Sequence, residues 1–178
     1  MKTQALPFLL LFALLSFSSC KKKDANPKEE LPAVTMEGKN TFGAMVNGKV
    51  WLPKGRPSTF QSNFNVIYDP AYKGGTLNIA AYRETKESPA EYDYFVIAMA
   101  QVNKAGVYTF DNAEISGVRF YNEYCDYDKS PDVTRSGTLE VTKLDLENGI
   151  IAGKFSFTLS KNGCEVIHVT EGRFDGKL

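Results

Sequence analysis

The chain has 178 residues, 43% hydrophobic and 24% charged, with acidic and basic residues in equal number and a formal net charge of +0. No strong basic field is available to hold a phosphate backbone, which excludes nucleic acid as a natural partner. One histidine and three cysteines leave little for a metal or redox centre, and no cofactor is implied.

Lys2 is the only charge before Ala5–Leu15, an unbroken apolar run. Ser16, Ser18 and Ser19 follow, and a basic start, short apolar middle and small-residue end is the layout of a secretory signal. The run is well short of the roughly 20 residues that a membrane-crossing helix needs. Phe17-Ser18-Ser19-Cys20 resembles the lipobox of bacterial lipoproteins, in which cleavage precedes the Cys and its sulfur carries the lipid; Phe17 is bulkier than the usual Leu. Residues 1–19 are therefore expected to be a lipoprotein signal peptide and Cys20 the acylated start of the mature chain, with the membrane as partner through that anchor. An ordinary signal peptide with an incidental Cys is the alternative. Two or more acyl chains, palmitate among them, hold stably because each buried CH₂ contributes about 0.8 kcal/mol.

Lys21, Lys22 and Lys23 either lie against anionic headgroups, at about 1 kcal/mol each, or form a solvated run. Lys rather than Asp after the Cys resembles lipoproteins passed on to the outer membrane, with the periplasmic or surface face left open. Residues 24–40, "DANPKEELPAVTMEGKN", are charged, with two prolines and few apolar side chains. Such composition does not order itself, so residues 20–40 are expected to be a lipidated, flexible tether. Residues 41–178 are the domain.

That domain reads as strands. Asn47-Gly48, Asn148-Gly149 and Asn162-Gly163 are each flanked by alternating apolar and polar residues, a strong hairpin signal. A two-residue turn at the first places Ala44 opposite Trp51. Strands are predicted over 63–68, 76–84, 92–100, 107–111 and 117–125, and the last two Asn-Gly pairs join three more in a meander. No segment holds a helical period over three turns. The expectation is all-β: a single antiparallel β-sandwich or flattened barrel of about ten short strands. A two-residue turn at Asn162-Gly163 would pair Leu159 with Val166 and Phe157 with His168, pointing His168 into the core.

Val46, Asn47, Gly48 and Trp51 near the start, with Gly153, Phe155, Phe157, Thr170, Gly172, Arg173, Phe174 and Asp175 near the end, carry a resemblance. The pattern V-N-G-x-x-W followed by G-x-F-x-F and T-x-G-R-F-D is similar to that of a family of uncharacterised Bacteroidetes lipoproteins. The likeness spans both ends of the domain and is loose in its middle. It implies location and fold and carries no activity.

Cys125 and Cys164 are an even pair for an oxidising compartment, which points to a disulfide; two buried free thiols are the alternative. Glu123, Asp126, Asp128 and Asp132 form the densest acidic stretch. Asp126, Asp128 and Asp132 around Ser130 resemble the start of a calcium loop, but Pro131 and Gly137 stand where its Gly and bidentate Glu belong, so a solvated loop competes. Tyr121, Tyr124 and Tyr127 cluster, with Tyr92 and Tyr94 on another strand; exposed rings on a β-scaffold stack on sugars, and Tyr is equally at home half-buried in strands. Arg173 and Asp175 share a face as a candidate structural charge pair. No motif of nucleophilic, metal or phosphate chemistry occurs, so no catalytic residue is assigned.

The sequence thus points to a lipid-anchored envelope β-domain that binds a glycan or an outer-membrane partner. A small carboxylate-dependent hydrolase, requiring two acids in one cleft, and a structural envelope lipoprotein are the alternatives. Labelled fatty acid should appear on the wild-type product in a bacterial host and be missing from Cys20→Ser.

Overall fold

Two antiparallel sheets pack face to face in a computed structural model that describes residues 29–87 and 90–178. The expected signal peptide (1–19) and Cys20 lie outside the described residues. The first sheet runs in the order β2 (Lys49–Trp51), β1 (Thr41–Val46), β11 (Ile167–Lys177), β10 (Ile150–Lys161), β9 (Val133–Asp145), β6 (Gly106–Thr109). The second runs β3 (Phe64–Asp69), β4 (Thr76–Glu87), β5 (Ala90–Met99), β7 (Ser116–Tyr121), β8 (Asp126–Tyr127). The sheets do not close on each other, so the fold is the expected sandwich rather than a barrel. Among the described residues there is no helix long and apolar enough to cross a membrane.

Side chains alternate across a pleated strand, and the inner halves of both sheets are aromatic and branched. Phe42, Trp51, Phe95, Phe120 and Phe157 meet between the layers, with ring centroids of Trp51 and Phe95 4.6 Å apart and of Phe95 and Phe120 4.8 Å apart. An edge-to-face pair such as Trp51–Phe95 adds about 0.5–1.5 kcal/mol beyond the area it buries. Trp51 also ties the sheets by a polar contact, its Nε1–H donating to Asp93 Oδ2 at 3.0 Å.

The first hairpin forms as expected. Asn47 and Gly48 both take positive φ (47° and 75°), the two-residue turn that matches strand twist, and Ala44 stands opposite Trp51. Asn47 then reaches across to β11: its N–H donates to His168 O at 2.9 Å, and its Oδ1 accepts from His168 N–H at 2.7 Å.

The last hairpin differs by one residue. Leu159 pairs with Ile167 and Thr158 with His168, so His168 faces solvent, its Nδ1 3.3 Å from Thr158 Oγ1. The connection runs over 162–166 rather than two residues, and a one-residue slip moves every side chain to the other face. It is held in that form by a disulfide from Cys164 to Cys125 and by hydrogen bonds to the carbonyls of Glu165 and Val166 from Tyr127 and Asn47. Farther along, a bulge at Thr170-Glu171, with Glu171 at φ 52°, reverses the alternation so that Phe174 is buried inward and Asp175 points outward.

Asp175 is not paired with Arg173. Its carboxylate accepts hydrogen bonds from Thr35 Oγ1 (2.6 Å) and from the backbone N–H groups of Glu37 (3.0 Å), Gly38 (2.7 Å) and Lys39 (3.3 Å). Arg173 instead contacts Glu171 and the Pro32 carbonyl. The described part of the expected tether is therefore a strap bound to the domain. Its composition cannot bury much surface, but one buried carboxylate supplies the partners that composition cannot. The strap continues past Gly43, where an added side chain would strike Leu31, Pro32 and Leu52, to a Glu29–Arg83 ion pair of 3.0 Å.

Two predictions follow from these ties. The disulfide closes a loop spanning 39 positions and links the β7–β8 turn of one sheet to the β10–β11 connection of the other. On the chain-entropy estimate, Cys125→Ser should lower unfolding free energy by about 4 kcal/mol, measured by denaturant titration without reductant. Burial opposes ionisation of Asp175, but the hydrogen bonds from Thr35, Glu37, Gly38 and Lys39 outweigh it and hold its carboxyl below the ordinary value. A depressed folded-state value means the contribution is complete above the unfolded-state carboxyl value, about 3.9, and is lost as pH falls through the lower folded value. Asp175→Ala should remove about 2 kcal/mol at neutral pH and abolish hydrogen-exchange protection of the Glu37, Gly38 and Lys39 amides, and the wild type should lose that protection only once acid passes below the depressed folded-state value of Asp175.

Candidate functional site

Burying Ala81, Phe95 and Phe120 in one cross-strand row of the second sheet forces the next row outward. That outward row is Tyr82, Tyr94 and Tyr121, directly opposite one another on β4, β5 and β7. Tyr92, two residues before Tyr94 and on the same face, lays its ring between two of them. Its centroid is 5.4 Å from Tyr82 and 5.1 Å from Tyr121, each at an interplanar angle of 29°. Four tyrosines thus form one aromatic wall on the outer face of the sheet.

A cleft of about 840 Å³ runs along this wall. Ala80 is a small floor residue, with Asn65 beside it on β3 and Val96 beside it on β5. The opposite rim is the 52–63 connection, which brings Pro57, Phe60, Gln61 and Ser62 to the cleft. That connection is fastened to β4 around Tyr82 itself. Tyr82 N–H donates to Asn63 O at 2.7 Å, Lys54 N–H donates to Tyr82 O at 3.1 Å, and Glu84 N–H donates to Lys54 O at 3.0 Å. Asn63 Nδ2 donates to Gly55 O at 3.0 Å. Phe60, 98% exposed, is one of the lining residues that this connection contributes.

The electrostatics are simple. Arg119 is the charged side chain among the lining residues, and Asp126 engages it through two of its nitrogens, Nε at 2.7 Å and Nη2. That pairing raises the Arg119 value further above its ordinary one. Tyr92 beside it pushes the Tyr121 hydroxyl up, and burial does the same for Tyr82. The Tyr121 and Tyr82 phenols are therefore neutral donors and acceptors at physiological pH. Among the described residues no carboxylate lines the cleft. What the arrangement offers is flat apolar ring surface, amides and hydroxyls, with charge balanced at the floor.

The sequence-predicted residues are distributed as follows. Tyr121 belongs to the wall. Tyr124 lies on the β7–β8 turn, 81% exposed and outside the cleft, and Tyr127 is buried in the core, its hydroxyl donating to Glu165 O. The expected trio is thus not one surface: spacing of three along a strand-turn-strand segment carries rings to different faces, while pairing joins Tyr121 to Tyr82, Tyr92 and Tyr94. Tyr92 and Tyr94 are visible in the sequence as an alternating pair. Tyr82 and Phe60 are the missed members. For Tyr82 the signal was the alternation in "NIAAYRE", which places it opposite Ala81; for Phe60 no local pattern points to the site.

Asp126, Asp128 and Asp132 do not assemble a metal site either. Asp126 is bound to Arg119, Asp128 accepts from the Ser130 hydroxyl and, at 3.0 Å, the Ser130 N–H, and Asp132 lies 3.9 Å from Lys161 Nζ. The Ser130 donors hold the Asp128 carboxyl below its ordinary value. Among the described residues no group of three or more His, Cys, Asp or Glu side chains converges on a common point.

Burial pushes the Asp93 carboxyl up, against the Trp51 N–H and Arg83 that favour its charge, but Asp93 lies behind the wall and not in the cleft. A shallow depression on the outer face of the first sheet holds Glu140 and Glu171 together with Lys154 and Arg173, and Glu171 is bound to Arg173 at 3.2 Å.

No family model matches the chain, and neither the curated proteins nor the solved structures compared with it contain a match.

Proposed function

We propose that this domain is a glycan-binding module of the bacterial envelope, carried on a lipid at Cys20. The observation that carries the reading is the four-tyrosine wall along a cleft that Phe60, Ala80, Gln61, Ser62, Asn63 and Asn65 also line. Sugars present apolar C–H faces and a fringe of hydroxyls that both donate and accept. Tyr and Phe rings match the first requirement, and amides and phenols match the second. Ligand sites of this kind combine mostly apolar lining with a few placed polar groups.

The envelope location rests on the signal-like start, the lipobox resemblance and the basic residues after Cys20, with the outer membrane favoured. An outer-membrane protein partner is the competing occupant of the same face. The aromatic-and-amide lining favours a sugar over it, because a protein interface of standard size covers about 800 Å² per partner and this cleft is a single narrow trough. For a hydrolase, two carboxylates flanking a scissile bond are required, and the cleft's lining supplies none among the described residues.

In a glycan array followed by titration calorimetry, the mature domain should bind oligosaccharides. Tyr92→Ala, which removes the ring shared by Tyr82 and Tyr121, should weaken binding about tenfold or more, whereas Tyr124→Ala, outside the cleft, should bind as the wild type does. Equal binding by Tyr92→Ala would sink the reading.

A further inference from the structure

Arg119 raises a chemical problem for any sugar-binding cleft. A guanidinium presents five N–H donors in a rigid fork that fits a carboxylate with two parallel bonds. Left free on the cleft floor, it would make the site a receptor for uronic acids and other acidic sugars. It is not free. Asp126 occupies the Nε and Nη2 edge, one of the two edges on which a carboxylate can dock with parallel bonds, and balances the guanidinium charge. Asp126 is itself held in place by three independent ties. Its strand pairs it with Tyr121, its backbone carbonyl accepts from Lys161 Nζ at 2.8 Å, and the Cys125–Cys164 disulfide anchors the preceding residue. Asp128 adds a second negative charge close enough to act on Arg119.

We propose that the Arg119–Asp126 pair is a specificity device: it makes the cleft select uncharged sugar residues and reject acidic ones. This rests on the glycan reading above and deepens it to a ligand class. A sugar carboxylate entering the cleft meets a guanidinium with one edge filled and its charge balanced by a fixed carboxylate, so it must either displace Asp126 or take the remaining edge beside that negative charge. Like-charge juxtaposition is costly where water is partly excluded. A hydroxyl faces neither penalty and can still use the remaining Arg119 N–H groups, the Tyr phenols and the Asn65 amide. Selection here works by blocking the wrong partner as much as by contacting the right one.

The test compares a neutral hexose oligosaccharide with its counterpart oxidised to the uronate at C6, titrated at low salt against the mature domain. Wild type should bind the neutral form more tightly. Asp126→Asn, which keeps the shape and removes the charge, should lower the neutral-to-acidic affinity ratio about tenfold or more, and 0.5 M salt should reverse much of that change. Asp126→Glu should preserve the wild-type preference. Arg119→Gln provides a second variant that leaves Asp126 uncompensated, and it should widen the preference for the neutral sugar. Tighter binding of the uronate by wild type, or an unchanged ratio in Asp126→Asn, overturns the inference and leaves the glycan reading standing. Binding of neither sugar, with none on the array, overturns both.

Discussion

The strict two-residue alternation of a pleated strand is the constraint on which this molecule depends. Once Ala81, Phe95 and Phe120 are committed to the interior as one row, Tyr82, Tyr94 and Tyr121 have nowhere to go but out, and they go out together. The interior row is not negotiable. Phe95 touches Trp51, Phe42, Phe120 and Phe157, so rotating β5 by one residue would expose the centre of the aromatic cluster and bury Tyr94 and Val96 in its place. Burial of a Phe side chain stabilises by about 1.5–3 kcal/mol, and a slip forfeits several at once. The cleft's wall is thus held in place by residues that no ligand touches.

The motif residues at the two ends of the domain have a common character. Asn47 and Gly48 make the first turn, and Asn47 clamps it to β11; Trp51 bridges the sheets through Asp93. Gly153 and Gly172 lie where any side chain would collide with Phe174 or Phe155. Phe155, Phe157 and Phe174 fill the core, and Asp175 fastens the strap. Every one of these is a requirement of the scaffold. The wall, by contrast, comes from β4, β5 and β7, in the middle of the chain and outside those motifs. A motif of this kind describes how the sandwich is closed and is silent about what it holds.

What was legible in the sequence follows from the range of the interactions involved. The Asn-Gly turn at Asn47-Gly48 is set by four residues, and its register, Ala44 on Trp51, could be read directly. The strands themselves announce their alternation locally, as does an even cysteine pair in an oxidising compartment. Asn162-Gly163 carries the same dipeptide, yet its connection is five residues long, because Cys125, Tyr127 and Asn47 all grip it from other elements. No local rule contains those three partners, and the slip of one residue put His168 on the wrong face. The strap failed for the opposite reason: residues 31–39 lack intrinsic structure, and what orders them is a carboxylate about 140 positions away. The tyrosines were noticed by their nearness in sequence, but a binding surface is assembled by nearness across strands.

Separating the two roles between the two faces of one sheet has a physical consequence for how such a domain varies. Inner-face changes remove packed volume and cost about 2–5 kcal/mol for a large-to-small substitution, a large share of the 5–15 kcal/mol that holds a domain of this size folded. Outer-face changes away from caps, turns and buried charges cost within about 0.5 kcal/mol. Tyr82, Tyr92, Tyr94, Arg119 and Asp126 all point outward, so each can be exchanged while Phe95 and Phe120 keep the strands in register. The rim behaves likewise: Phe60 is carried on a connection whose attachment to β4 is through backbone groups of Lys54 and Asn63, which any side chain at position 60 leaves intact. Ligand preference on this scaffold is therefore set by residues whose replacement leaves the register undisturbed, while the core that presents them is bound by packing to stay as it is.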